Sequence, residues 1–297
     1  MDDSLPHDLA DVNDSAFEAL IALLTGRRIV ALTGAGCSTE SGIPDYRGNG
    51  RPPARSPIQH DAFIRRADVR QRYWARATLG WEQFSRSQPN PAHQALATLE
   101  SAGIVRGVIT QNVDRLHHVA GSRRVIELHG ALSDVVCLEC HVRSDRVRLQ
   151  SRLLQANPSW LDQIGLVAPD GDAELPASVV GKFRVLGCEF CDGPLMPDVV
   201  FFGGSVSQEK VTAAWALIDQ ADALLVVGSS LAVFSGWRFA RGAAERGLPV
   251  AVVNLGPTRA DDICRVHVNA KAGDVLPRFA ERLVPSGRAN HRSLPEN

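Results

Sequence analysis

Ile29-Val30-Ala31-Leu32-Thr33-Gly34-Ala35-Gly36-Cys37-Ser38-Thr39-Glu40-Ser41-Gly42-Ile43-Pro44-Asp45-Tyr46-Arg47-Gly48 decides how the rest of the chain is read. Residues 29–32 are a short continuous apolar run, the pattern of a parallel strand covered on both faces. The run empties directly into a glycine turn and polar residues. Gly34 and Gly36 lack the Cβ atoms that would hold a pyrophosphate away from backbone N–H groups at a helix start. In the dinucleotide fingerprint G-x-G-x-x-G the third glycine is here Thr39. Taken alone, the glycine pair fits an ordinary strand-to-helix turn as well as a nucleotide site.

The same grammar recurs downstream. A strand over 105–110 ends at Gln111-Asn112-Val113-Asp114, and an apolar strand over 125–128 ends at His129-Gly130. Likewise 223–227 ends at Gly228-Ser229-Ser230, and 250–253 at Asn254-Leu255-Gly256. Helical patterns alternate with these runs. Ser15 and Glu18 read as a capping box before Phe17, Leu20, Ile21 and Leu24. Asn90-Pro91 reads as an N-cap followed by an N1 proline, and Gly103 as that helix's stop. Val211, Ala214, Trp215 and Ile218 share a helical face, and a helix over 237–246 ends at Gly247. Strands alternating with helices, each strand ending in small or polar residues, predict an α/β fold with a doubly wound, Rossmann-like parallel sheet. Its ligands bind outside the carboxyl ends of the strands. The large domain is expected from 14–47, 93–133 and 194–285, and a smaller, zinc-binding and helical domain from insertions at 48–92 and 134–193. Residues 1–13 and 286–297 read as flexible termini.

Of 297 residues, 44% are apolar and 22% charged, which is ordinary globular composition and argues against disorder. A net charge of −1 provides no field for nucleic acid or anionic lipid. No run reaches the roughly 18 apolar residues of a membrane helix, and the acidic start Met1-Asp2-Asp3-Ser4 lacks the basic and apolar blocks of a leader. A cytoplasmic protein with no nucleic-acid or membrane partner is expected.

Cys137-x-x-Cys140 and Cys188-x-x-Cys191 account for four of six cysteines. Without an export signal, paired C-x-x-C motifs indicate metal in preference to disulfides. Four thiolates make the closed tetrahedral set of one structural Zn2+, with no open position for chemistry. The 47 residues between the pairs, 141–187, exceed a compact zinc ribbon and must loop out or add a helical piece. Cys37 and Cys264 read as small buried apolar residues. Residues 61–87 carry Arg65, Arg66, Arg70, Arg72, Arg76 and Arg86 among aromatic residues, a helix with a solvated face and an aromatic core side. The competing reading of those arginines is an anion-recognition surface. Among nine histidines, His129 stands at a predicted strand end, where a general base would face a dinucleotide beside Asn112 and Asp114.

These motifs, with Pro197-Asp198-Val199-Val200-Phe201-Phe202-Gly203, occur in the order found in the sirtuin family, which the chain resembles over about 16–284. Tyr73-Trp74-Ala75-Arg76 and Gln88-Pro89-Asn90-Pro91-Ala92-His93 resemble its class II group. The resemblance implies an NAD-consuming protein-lysine deacylase, a transferase that moves the acyl group to ADP-ribose with release of nicotinamide. NAD and one structural zinc are the implied cofactors, and an acyl-lysine protein or peptide the implied partner. Gly34, Ala35, Gly36, Ser38, Thr39, Ile43, Pro44, Asp45, Tyr46, Arg47, Gln111, Asn112, Val113 and Asp114 would line the NAD site. Gly228, Ser229, Ser230, Asn254, Leu255, Gly256 and Ala272 would complete it on the adenosine side. Ile43 and Asp45 would hold the nicotinamide carboxamide, and Asn112 and Asp114 the ribose and a water. His129, with Asn112 and Asp114, would form the catalytic set, His129 taking the proton of the ribose 2′-hydroxyl. Val200, Phe202, Gly203 and Leu231 would meet the substrate, added as an extended strand. Two departures stand out: Tyr46 where most relatives carry Phe, and Gly204 where they carry an acidic residue. Protein ADP-ribosylation at the same site, or a silent NAD or ADP-ribose sensor, are the alternative readings.

Overall fold

The computed structural model describes residues 13–45, 57–162 and 175–284. A six-stranded sheet is built from β1 (Ile29–Thr33), β2 (Val105–Thr110), β3 (Val125–Glu127), β7 (Ala223–Val227), β8 (Val250–Val253) and β9 (Val266–Val268), in the order β3-β2-β1-β7-β8-β9. Every pairing in it is parallel. The central strands are buried at every position, as their unbroken apolar runs require. Alternation divides them between two layers. Ile29 and Ala31 face Phe17, Leu20, Leu96, Leu99, Leu276 and Phe279, while Val30 and Leu32 face Ala214, Leu217, Phe239 and Ala240. Helices Asp14–Leu24, Pro91–Ser101 and Ala272–Leu283 thus cover one face, and Gln208–Ile218 and Phe234–Glu245 the other.

β9 has no counterpart among the predicted strands. It is a three-residue edge strand with His267 in the middle and Arg265 before it, too short and too polar to read as an apolar run. The first helix also starts differently: Asn13, not Ser15, is its N-cap and accepts from the Ala16 N–H at 3.3 Å. Asn90 caps as expected, and the His93 ring returns a bond to the Asn90 N–H.

The second sheet is antiparallel, in the order β5-β4-β6, from β4 (Gly130–Cys137), β5 (Arg143–Asp145) and β6 (Leu195–Val199). β4 starts directly after His129, so one strand leads from the edge of the large sheet into the cysteine region. Its core joins Phe63, Tyr73, Trp74, Leu149, Trp160 and Phe183. The segment 61–87 is not one helix. His60–Arg65 and Ala67–Ser85 are separated by Arg66, whose backbone is extended at φ −119° and ψ 119°. Its arginines serve local contacts: Arg66 bonds Asp68, Arg86 bonds Glu82, and Arg70 donates to the carbonyls of Phe63 and Ile64. These arginines form the solvated face, but Arg76 does not belong to it: it is buried on the core side with Tyr73, Trp74 and Ala77. The long insert between the cysteine pairs contributes the helix Arg146–Ala156. Arg146 is buried between the rings of Trp74 and Trp81, at 5.3 and 4.9 Å.

Candidate active site

The order in which strands are added to the large sheet reverses between β1 and β7: β2 and β3 lie to one side of β1, and β7, β8 and β9 to the other. Parallel neighbours that lead to opposite sides leave a crevice at their carboxyl ends. A cleft of about 2180 Å³ occupies it. Gly34, Ala35, Gly36, Ser38, Thr39, Ile43, Pro44 and Asp45 line it from β1; Gln111, Asn112, Val113 and Asp114 from β2; His129 follows β3. Gly228, Ser229, Ser230, Asn254, Leu255, Gly256 and Ala272 complete the opposite side. The sequence-predicted cofactor residues and His129 are therefore brought together, and Val200, Phe202 and Leu231 also line the cleft, whereas Gly203 does not. Tyr46 and Arg47 lie outside the described residues.

The glycines act differently from the reading given above. Gly34 N–H donates to Val227 at 3.0 Å and Gly36 N–H to Gly228 at 2.8 Å, so both amides are already engaged. A Cβ on Gly34 would come within 2.7 Å of Ser229, and one on Gly36 within 2.9 Å of the Gly228 carbonyl. What these glycines permit is the close approach of two strand-end turns that together form the cleft floor. Among the described residues up to 45 no long helix follows, only the short 3₁₀ turns Ala35–Cys37 and Thr39–Ser41. The floor is lined with backbone and small side chains, and a Cβ at 34, 36 or 228 would push its two turns apart.

Ser38, 1% exposed, ties the polar residues together. Its hydroxyl donates to Asp114 Oδ2 at 2.7 Å and accepts from Asn112 Nδ2 at 3.0 Å. Asn112 also donates to the Gly34 carbonyl, and Asp114 Oδ1 accepts the Leu116 N–H. Burial pushes the Asp114 carboxyl above its ordinary range, opposed by those hydrogen bonds. Behind this layer, His117 contacts Thr33 Oγ1 at 2.9 Å, and Thr33 donates to Thr110. The His93 and His117 rings lie 4.7 Å apart. Burial holds both below the ordinary histidine range, His93 at about 4, so the network under the site is uncharged. No sequence signal marks it, since its members come from separate elements.

His129 is fixed at both ring nitrogens. Nδ1 lies 2.8 Å from the Gln111 carbonyl and Nε2 2.7 Å from Ser235 Oγ. Because a carbonyl only accepts, Nδ1 carries the proton and Nε2 presents its lone pair. Burial holds the imidazole below its ordinary range, Lys210 adds to this, and the Gln111 carbonyl opposes it. The ring is thus a neutral base at the crevice. Ser235 was not among the expected residues; a serine in the first turn of a helix carries no distinguishing pattern. Tyr73, Phe84 and Leu132, which also line the cleft, were likewise missed because they belong to the second sheet and its helices.

On the substrate side, Val200 donates its N–H to the His129 carbonyl at 2.9 Å. β6 stops at Val199; beyond it Phe201 stacks on Phe63, and Phe202 is 44% exposed. Gly203 turns the chain at φ 79°. Leu231 also lines the cleft; its side chain is 1% exposed and packs in the core of the large sheet, and its backbone is left-handed at φ 54°. Ala232, Val233 and Phe234 beyond it are exposed at the rim.

At the far end of the second sheet, the four thiols of Cys137, Cys140, Cys188 and Cys191 lie within 4.8 Å of one another. Each pair forms a similar turn: the Glu139 N–H points to Cys137 Sγ and the Phe190 N–H to Cys188 Sγ. His141 and Asp192, each following a second cysteine, are left-handed at φ 59° and 58°. Four soft donors converging from two such turns fit one tetrahedral structural zinc, which those cysteines would hold.

A doubly wound sheet with a neutral histidine at its switch-point crevice, joined to a four-cysteine module, defines a dinucleotide-dependent enzyme class with a structural metal. Residues 34–235 match the model of the Sir2 family, and the chain belongs to that family. It is 50% identical over 255 residues to the human "NAD-dependent protein lipoamidase sirtuin-4, mitochondrial", covering 84% of this chain and 81% of that protein. It is 49% identical over 269 residues to "NAD-dependent protein deacetylase 1" of Mycobacterium avium, covering 90% and 95%. Among solved structures, a Sir2 protein described with a p53 peptide and NAD+ superposes with a TM-score of 0.71 at 31% identity, over 89% of this chain and 97% of that one. Another, Sir2Tm bound to a propionylated peptide, gives 0.70 at 29% identity, over 89% and 97%.

Proposed function

We propose that the chain is an NAD-dependent protein-lysine deacylase that prefers apolar acyl groups longer than acetyl. NAD is the co-substrate and the acyl-lysine of a protein or peptide its partner, in keeping with the names of its relatives. The carrying observation is His129, held neutral with Nε2 toward the crevice and flanked by the Ser38-linked pair Asn112 and Asp114.

The chemistry needs a glycosidic bond broken next to a weak nucleophile, the amide oxygen of the acyl-lysine, with water excluded. Gly34, Gly36, Gly228 and Ser229 form the floor, and Ile43 and Asp45 are assigned to the nicotinamide end. Asn112 and Asp114 orient the ribose. His129 Nε2 then takes the proton of the ribose hydroxyl that attacks the acyl carbon; one water is taken up as the C–N bond to lysine breaks, and the products are free lysine and the acyl group carried on ADP-ribose. Apolar side chains on the second sheet's side, Ile58, Tyr73, Phe84 and Leu132 among them, support the longer-acyl reading, because burying each added CH₂ contributes ~0.8 kcal/mol. Arg66, Arg70 and Arg86 are occupied locally and do not favour an acidic acyl group.

The test is a panel of acyl-lysine peptides with NAD, read by mass spectrometry for acyl loss, O-acyl-ADP-ribose and nicotinamide. Turnover rising from acetyl to longer alkyl chains is expected; absence of nicotinamide release across the panel refutes the activity, and an acetyl optimum refutes the preference. A cytoplasmic location remains part of the proposal. It is supported by thiols gathered for metal, which suits a reducing compartment, and cell fractionation checks it.

A further inference from the structure

The lone pair that makes His129 a base is already occupied. An imidazole nitrogen without a proton has one lone pair, in the ring plane, and accepts one strong hydrogen bond. Nδ1 carries the proton because its partner at 2.8 Å is the Gln111 carbonyl. Ser235 Oγ, at 2.7 Å from Nε2, is therefore the donor of that contact. If His129 is to take a proton from a ribose hydroxyl, that hydroxyl must reach the same lone pair. We infer that Ser235 is a latch on His129: its hydroxyl occupies Nε2 in the resting enzyme and has to give it up before the acyl-transfer step. The inference rests on the deacylase reading above.

The two partners of the ring differ in mobility, which decides where the exchange occurs. Gln111 is immobilised: its Nε2 donates to Ser229 Oγ at 2.8 Å, and its side chain packs against Gly236 so closely that a Cβ there would overlap Gln111 Oε1. Its backbone carbonyl sits at the end of a central strand, where its own N–H bonds Thr33. Ser235, half-buried, follows the exposed rim residues Val233 and Phe234 and can withdraw its hydroxyl by rotation about one bond. In the step, the ribose O–H bond breaks and an N–H bond forms at Nε2. The Ser235 hydroxyl keeps its own proton and turns away, and the ring leaves as imidazolium with Nδ1–H still on Gln111. Ser235 is accordingly a positioning residue that sets the availability of the base.

A buried neutral hydrogen bond that must break before reaction corresponds to about a two- to tenfold effect on rate. Ser235→Ala is therefore expected to raise the acyl-transfer rate by about two- to tenfold, measured in single turnover as O-acyl-ADP-ribose formed. Nicotinamide exchange, which precedes the need for His129, should be unchanged. Ser235→Thr, which restores a hydroxyl, should bring acyl transfer back down. A slower acyl transfer in Ser235→Ala overturns the latch and makes the hydroxyl a proton relay; an unchanged rate overturns it as well. Should the variants not fold, ¹⁵N-histidine NMR of the wild-type chain reads the same exchange. The His129 Nε2 resonance, assigned with His129→Tyr, is expected to shift when ADP-ribose is added, and a fixed resonance with ADP-ribose bound overturns the proposal. Absence of nicotinamide exchange in the wild type would instead count against the deacylase reading itself.

Discussion

The two sheets of this chain reach order by different means. In the six-stranded sheet the central strands are buried on both faces by aliphatic side chains, and two helical layers complete the cores. Hydrophobic burial at ~25 cal/mol per Å² supports it without help. The three-stranded sheet is antiparallel and short, and β5 is mostly exposed. It adds two devices: four converging thiols, and a buried guanidinium between two indoles. Arg146 donates to Gln150 and to the Ala77 carbonyl, and burial pushes it down to about 10. The cleft lies where the sheets meet, so a self-sufficient floor is paired with a wall that depends on metal.

That contrast breaks most sharply at the cysteines. Cys188→Ala, or a strong chelator, is expected to unfold the second sheet, since structural zinc supplies ~10–16 kcal/mol in small zinc modules. Zinc per chain should fall from near one to near zero, while hydrogen exchange of β1, β7 and β8 stays protected. Equal loss of protection in both sheets would refute the division.

His129→Tyr probes the junction. Turnover should drop by ~10²–10⁴, the usual contribution of a general base, with the melting temperature little changed. A variant with wild-type turnover would remove His129 from its role.

Gly228→Ala tests the floor. A Cβ there would overlap Cys37 and Gly36, at a backbone φ of 57°. Destabilisation of ~1–3 kcal/mol is expected by denaturant titration, with weakened NAD binding and the zinc content intact. A neutral effect on both would show that the two turns do not need to meet.

The smallest effect is in the pH profile. His129 acts when neutral, and its pKa is lowered by burial and by Lys210. Activity should therefore persist as pH falls past the free-histidine value of about 6.5 and decline only below it. The acid limb of kcat/KM checks this; a midpoint at or above that value would contradict the burial argument.

Much of this was legible in the residues. β1, β7 and β8 fall where unbroken apolar runs place them, because strands buried on both faces leave little room for polar interruption. The strand-end positions and the two C-x-x-C pairs were legible for a similar reason: turn chemistry and ligand spacing are local. β9 and the break at Arg66 were not, since a polar three-residue edge strand and a one-residue extended break leave no periodicity to read. Nor was the true work of Gly34 and Gly36, which depends on a turn nearly two hundred residues away at Gly228.

The sequence by itself determined a doubly wound sheet, a zinc module and a histidine at a strand end, because periodicity, spacing and turn residues act within a few positions. Only the tertiary structure decided which glycine faces which turn, that Ser38 joins Asn112 to Asp114, and that Ser235 rests on the lone pair of His129. Those contacts join residues separated by 74 to 106 positions in the His129 and Asn112 pairings, and no local rule couples them. Packing fixes them.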